Sequence, residues 1–137
     1  MDGAYEGKLP RPTPETLPFW QGAKAGKLML PWCEDCGQPH FYPRAICPHC
    51  LSDRLDWRQA SGRGKLHTYV INHRAAKGFT APYVIAVVEL AEGPRMLSNV
   101  VTEGEPTPDM LTIDMDLEVT FDPVTDDITL PRFRPAP

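Results

Sequence analysis

Four cysteines carry the sharpest chemical pattern in this chain of 137 residues. Cys33-Glu34-Asp35-Cys36 and Cys47-Pro48-His49-Cys50 are two C-x-x-C hooks, separated by Gly37 to Ile46. Thiolates two residues apart wrap one side of a metal ion, and two such hooks complete the closed tetrahedral shell of structural zinc. Iron in a rubredoxin-type site takes the same four thiolates, so the spacing selects a ligand set and leaves zinc and iron both open. Gly37 suits the sharp turn after the first hook because it carries no Cβ. The separation is shorter than the ~15 to 20 residues usual for paired hooks, yet it leaves room for a small hairpin. Disulfides would need an oxidising compartment. No charged-then-apolar leader opens the chain, from which a cytoplasmic location is expected. A thioredoxin-like redox pair would need a βαβ context that the pattern lacks. With all four thiols on one ion, His40 and His49 are expected at the surface or packed around the ligands.

Other chemistry-bearing patterns fall short. Gly62-Arg63-Gly64-Lys65 lacks the glycine and hydroxyl residue of a phosphate loop, since Gln59 and Leu66 occupy those places. His67 and His73 are candidates for acid/base work, but neither is paired with a nucleophile. Asp114, Asp116 and Glu118 alternate and are expected on one face of a strand as a solvated edge.

Charge is segregated. Residues 61 to 88 hold Arg63, Lys65, Arg74 and Lys77 with no acid, whereas residues 89 to 137 hold three basic and eleven acidic side chains. The formal net charge of -4 disfavours a bulk nucleic-acid binder, while the acid-free stretch draws anions locally.

The elements that must position these residues are short. Sixteen prolines and ten glycines argue against a helical bundle. The longest apolar run, Tyr83 to Val88, is far below the ~20 residues that cross a bilayer, so no membrane partner is expected. Residues 1 to 13 read as an arm. Thr13 and Pro14 suit the N-cap and first position of a helix through Glu15 to about Ala25, with Gly26 as its stop; a start delayed to Pro18 fits equally. Phe19, Trp20 and Ala23 share one side of it and must pack on something. From Gly62 the period changes to two. Strands are expected at Lys65 to His73, Tyr83 to Leu90, Met96 to Thr102, Leu117 to Asp122 and Ile128 to Leu130. In the first, His67, Tyr69, Ile71 and His73 would share one face, and Leu66, Thr68, Val70 and Asn72 the other. Five short strands suit a Greek-key barrel of the OB type better than a sandwich, although period alone does not separate an SH3-like barrel. The fold class is therefore mainly β, with a short N-terminal helix, a four-cysteine zinc ribbon and a five-stranded OB barrel. The expected divisions are 1–27, 28–58 and 59–134.

In order, Phe19-Trp20-Gln21-Gly22, Gly26-Lys27-Leu28, the first hook with Gly37, Tyr42-Pro43-Arg44, the second hook, Leu55-x-Trp57 and Ser61-Gly62-x-Gly64 stand along the chain. Pro82-Tyr83-Val84, Val87-x-Glu89-Leu90-x-Glu92-Gly93 and Leu130-Pro131-x-Phe133 follow. This combination, over about residues 14 to 134, resembles the acyl-CoA-associated proteins with an N-terminal rubredoxin-like zinc ribbon and a C-terminal OB-fold. The sequence departs from their pattern at Asp114-Met115-Asp116, where a Gly-Met turn commonly precedes the fourth barrel strand.

That resemblance implies a non-catalytic accessory subunit in a hetero-oligomer. Its partner would be a thiolase-superfamily enzyme carrying the catalytic cysteine, or alternatively a hydratase or aldolase acting on acyl-CoA. Coenzyme A carries several phosphate charges, and the acid-free stretch is where this chain can meet them. Lys65, Arg74, Lys77 and Phe79 are the candidate CoA- or partner-binding residues, with Phe79 and Tyr83 flanking an adenine. The runner-up is a zinc-ribbon and OB module for single-stranded nucleic acid. Against it stand the net acidity and the lack of aromatics interleaved with Lys or Arg.

Overall fold

The computed structural model describes residues 5–137. The expected arm falls outside the described residues at positions 1–4, and positions 5–13 run without helix or strand. A turn over residues 14–16 precedes helix α1, Leu17–Lys24, which takes the delayed start with Thr16 as N-cap and Pro18 in the first turn. Thr13 still contributes, because its carbonyl accepts from the amides of Thr16 at 3.0 Å and Leu17 at 2.8 Å. At the other end Gly26, at φ 78°, lets its own amide reach Ala23 and the Lys27 amide reach Gly22 at 2.8 Å. These are the paired end-bonds of a glycine-stopped helix. Phe19, Gly22 and Ala23 are buried. Phe19 joins the same apolar cluster as Leu28, Leu30 and the barrel interior, and burying one such ring contributes roughly 1.5–3 kcal/mol.

The ribbon pairs β1, Met29–Cys33, antiparallel with β2, Leu55–Gln59. The hooks lie between these strands in sequence. No hairpin forms between the hooks themselves; residues 37–46 make only an isolated bridge from Pro39 to Trp32. Prolines 39 and 43, which lack donors, leave that segment little ladder to build.

Five strands then close a barrel in the order β3-β4-β5-β7-β6: β3 Arg63–Asn72, β4 Tyr83–Leu90, β5 Arg95–Val100, β6 Asp116–Pro123 and β7 Thr129–Pro135. Leu66, Val84, Ala86, Val88, Leu117 and Phe133 fill its interior. Closure between β5 and β7 is parallel and rests on one residue pair, Val100 with Phe133, plus the Val101 amide to the Phe133 carbonyl at 2.7 Å. Side chains bridge the rest of that seam, as where the Ser98 hydroxyl donates to the Pro131 carbonyl at 3.1 Å. Pro131 therefore sits mid-strand without cost, since its missing donor faces the unladdered side. The strand runs five residues beyond the Leu130 expected from that proline.

A bulge between Leu66 and Thr68 corrects the expected faces of β3. The residue inserted at His67 flips the pleat, so Leu66 points into the core while Thr68 and Val70 stand exposed. Tyr69 and Ile71 pack against the core instead. Asp114 is likewise not on a strand: it occupies the turn before β6 at φ 69°, its amide bonded to the Leu66 carbonyl at 2.7 Å. It adopts the backbone a glycine would take there, which aspartate tolerates better than most residues.

Gly64 pairs with Leu90 on one side and Leu117 on the other; a Cβ there would lie 2.7 Å from Val88 and 2.8 Å from the Glu89 carbonyl. Gly64→Ala should destabilise the metal-loaded chain by about 1–3 kcal/mol in urea unfolding. Asp114→Gly should stay within about 0.5 kcal/mol of the parent, because relieved strain offsets lost chain entropy, whereas Asp114→Val should cost about 1–2 kcal/mol.

Candidate functional site

Strand β1 delivers Cys33 to the ribbon tip, and each hook turns on a similar set of backbone bonds. In the first, the Gly37 amide reaches the Cys33 carbonyl at 2.9 Å; in the second, the Leu51 amide reaches the Cys47 carbonyl at 2.9 Å. Gly37 (φ 74°) and Leu51 (φ 68°) occupy equivalent left-handed positions, so the second knuckle holds a leucine where the first holds a glycine. The amides of Cys36 and His49 point at the sulfurs of Cys33 and Cys47, both at 3.4 Å. Arg54 reaches back from before β2 to Asp35 at 2.9 Å and Glu34 at 3.4 Å, tying the first knuckle to the strand after the second.

All four sulfurs lie within 4.8 Å of one another. Cys33–Cys50 and Cys36–Cys47 are 3.5 and 3.7 Å apart, close to the ~3.8 Å edge of a tetrahedron with ~2.3 Å metal–sulfur bonds. No pair is bridged as a disulfide. The donor set thus fits one tetrahedral metal ion held by Cys33, Cys36, Cys47 and Cys50, with no position left open for substrate. Such an ion supplies cross-linking rather than reaction chemistry.

The thiols also need that cation. The Cys36 amide at its sulfur, with further help from Asp35 and the neighbouring thiols, brings Cys33 down to about 7 against the effect of burial. In Cys36 the Gln38 amide lowers the pKa, but burial and the thiols of Cys47 and Cys33 outweigh it and the net shift is upward. In Cys50 the Ser52 amide is similarly outweighed by Cys33, burial, Cys36 and Cys47, which push it up to about 12. His40 is buried rather than at the surface. Its Nε2 accepts from the Arg44 amide at 3.3 Å, and burial, then His49 and Arg44, hold it below the ordinary imidazole range. It lies outside the four-sulfur cluster, and its Nδ1 is buried with no hydrogen-bond partner among the described residues.

The candidate anion-binding residues do not form one group. Lys65 sits near the start of β3 and pairs with Asp116 at 3.4 Å, whereas Arg74, Lys77 and Phe79 lie on the loop beyond its far end. Nine residues of strand and loop, at ~3.3 Å each where extended, hold Lys65 apart from them. The rings of Phe79 and Tyr83 stack on each other at 4.4 Å and 14°. The two rings cover each other's faces, so in this arrangement they leave no space to flank an adenine.

Sequence reasoning missed what lies beneath this loop. Arg132 of β7 is 8% exposed, donating to Asp122 at 2.9 Å and Asn99 at 2.8 Å, with its guanidinium 5.5 Å from the Phe79 ring. Asn99 donates in turn to the Val84 carbonyl at 2.8 Å, and Asn72 to the Tyr83 hydroxyl at 2.8 Å. Arg132, Phe79 and Asn99 line two cavities, one of about 300 Å³ under the loop. The other, of about 590 Å³, runs over the β5–β7 seam to Phe19, Trp20, Phe41 and Tyr42. The signal was the alternation continuing through Arg132-Phe133-Arg134 after Pro131.

A metal-clasped ribbon stapled by a helix to a closed five-stranded OB barrel defines the class of this protein. The ChsH2 rubredoxin-like zinc ribbon domain matches residues 20–56 and the ChsH2 C-terminal OB-fold domain matches residues 57–122, and the chain belongs to this family. Over 120 residues it is 36% identical to a probable enoyl-CoA hydratase alpha subunit of Thermomonospora curvata, covering 86% of this chain but 37% of that protein. It is 29% identical over 108 residues to the benzoylsuccinyl-CoA thiolase subunit BbsA of Geobacter metallireducens, covering 79% and 65% of the two chains. A solved structure titled Ltp2-ChsH2(DUF35) aldolase superposes with a TM-score of 0.82 at 32% identity, over 94% of this chain and all of that one.

Cys36→Ala should lose the metal and open residues 28–58, seen as loss of bound metal by elemental analysis and exposure of Trp32 and Trp57 by fluorescence. Because the metal ligand is a thiolate and a cysteine thiol is ordinarily protonated at neutral pH, metal uptake by the stripped chain should release protons, and affinity should fall as pH falls. An unbuffered titration with an indicator dye measures this directly.

Proposed function

We propose that this chain is a non-catalytic accessory subunit of an acyl-CoA-processing complex. It helps a thiolase-superfamily partner bind its substrate for C–C bond formation or cleavage. The observation that carries this reading is the division of labour within the fold: all four thiols gather at the ribbon, while the loop that bears Arg74 and Lys77 lines, through Gly78, Phe79 and Thr80, a cavity shared with the Arg132–Asp122 pair. Such a chain can hold an anionic substrate but offers no thiol nucleophile. The relatives named as thiolase, hydratase and aldolase components support an acyl-CoA setting. The thiolase reading needs a nucleophile that this chain does not offer and a partner must bring, as a hydratase or aldolase component would bring its own catalytic groups.

In this reading the metal is zinc and is structural. Arg74 and Lys77 meet the phosphates of coenzyme A at the loop, with Arg132 below them, and the pantetheine arm passes on toward the partner. Lys65 serves the partner contact or its own ion pair rather than the phosphates.

The test is to purify the tagged chain with its companion from its own cells and assay acyl-CoA turnover by each chain alone and by both. Turnover requiring both chains is the expected result; turnover by this chain alone defeats the proposal. Arg74→Glu with Lys77→Glu should weaken CoA binding to the complex by about tenfold or more, as expected for two lost phosphate contacts near a protein surface.

A further inference from the structure

The outer face of the β3-β4-β5 sheet is apolar where a solvated face would be polar. Register places Thr68, Val87 and Leu97 in one cross-strand row, and Val70, Ile85 and Asn99 in the next. Val84, Ala86 and Val88 point inward and are buried, so Ile85 and Val87 must point out. Val70 is 58% and Leu97 69% exposed, side by side with the half-buried Ile85 and Val87. Single exposed aliphatics are ordinary, but contiguous rows of them on a sheet mark a contact surface.

The charge around these rows decides what covers them. Residues 61–100, which build this sheet and its loops, hold five Lys/Arg against two Glu, while the rest of the chain holds nine against sixteen. Arg95 pairs with Glu89 at 3.5 Å and Lys65 with Asp116 at 3.4 Å, Glu92 accepts from the Ser61 amide at 2.8 Å, and Arg63, Arg74 and Lys77 have no ion pair among the described residues, so these three carry the excess positive charge. A second copy docking through this face would oppose one net-cationic surface to another, because a two-fold interface brings the same patch to itself. Single-stranded nucleic acid would suit the cations, but it stacks on exposed aromatics, and these rows are aliphatic.

We propose that this face docks a different subunit, one presenting an apolar surface with an acidic rim. Resting on the accessory-subunit reading, that subunit is the catalytic chain. The geometry agrees with a shared substrate: β3 carries Val70 directly toward the loop with Arg74 and Lys77, and Leu97 lines the seam cavity beside Phe79 and Arg132. A partner seated on the rows abuts both cavities, so a ligand held under the loop reaches it without crossing solvent.

The experiment uses the complex purified with its companion chain. Leu97→Lys and Leu97→Thr are compared with Asp126→Lys in the β6–β7 turn, a control for added positive charge elsewhere. Metal content and thermal unfolding are measured for each chain, and Leu97→Thr, a good strand former, serves should the lysine disturb folding. Affinity for the companion should fall at least tenfold with Leu97→Thr and further with Leu97→Lys, with no change for Asp126→Lys. An undiminished complex with both Leu97 variants overturns the docking face while leaving the accessory role standing. An isolated chain that dimerises, and does so through Leu97, assigns the face to a second copy and overturns it too. If no companion chain is found, both proposals fall together.

Discussion

Four sulfurs within 4.8 Å of one another are the constraint on which the rest of the molecule depends. The segment between β1 and β2 has one short two-stranded pairing and a stretch interrupted by prolines, too little apolar burial to fold by itself. A metal ion at four thiolates contributes roughly 10–16 kcal/mol in finger-like peptides, enough to close such a segment. Closure then fixes Leu28 and Leu30, which share a cluster with Phe19 and the barrel interior. The helix, the ribbon and the barrel thus use one core, and an ion at the four thiols would fix the ribbon strands that contribute to it.

The parts of this architecture written in local chemistry were readable from the residues. Two C-x-x-C hooks specify a ligand set wherever they occur, and period-two runs bounded by glycine and proline specify strands. Gly26 marked the helix end because only a residue without Cβ adopts its backbone freely. What escaped were features created by pairing between distant segments. The bulge at His67 has no local signature; it arises because β3 must pair with β4 along its length and with β6 at its start. Arg132 seemed an ordinary tail residue until β7 was seen to carry it under the loop to Asp122 and Asn99. Asp114 is the middle case, a departure from a familiar glycine that the backbone absorbs without changing the turn.

The candidate site was legible to the same degree. The acid-free stretch covers β3, the loop after it and the start of β4, which puts Lys65 and Arg74 beyond opposite ends of most of β3. A strand is a spacer, and residues at its two ends do not share a ligand. Conversely, Arg132 is far from Arg74 in sequence yet floors the cavity below the same loop.

The β5–β7 seam also accounts for a cavity on the barrel wall. With only Val100 and Phe133 in register, β5 and β7 separate along the rest of their length, and Ser98, Asn99 and Arg132 span the gap with side chains rather than a ladder. A full ladder would fill the space that the cavity over the seam occupies. The same irregularity, one extra residue at His67, turns Val70 outward beside Ile85 and so extends the apolar rows of β4 and β5 onto β3. Without the bulge Val70 would point inward with Leu66, and Tyr69 and Ile71 would take its place on the outer face. A departure from ideal sheet pairing therefore lies behind both proposed surfaces: the unladdered seam leaves a cavity, and the bulge decides which side chains of β3 join the outer face.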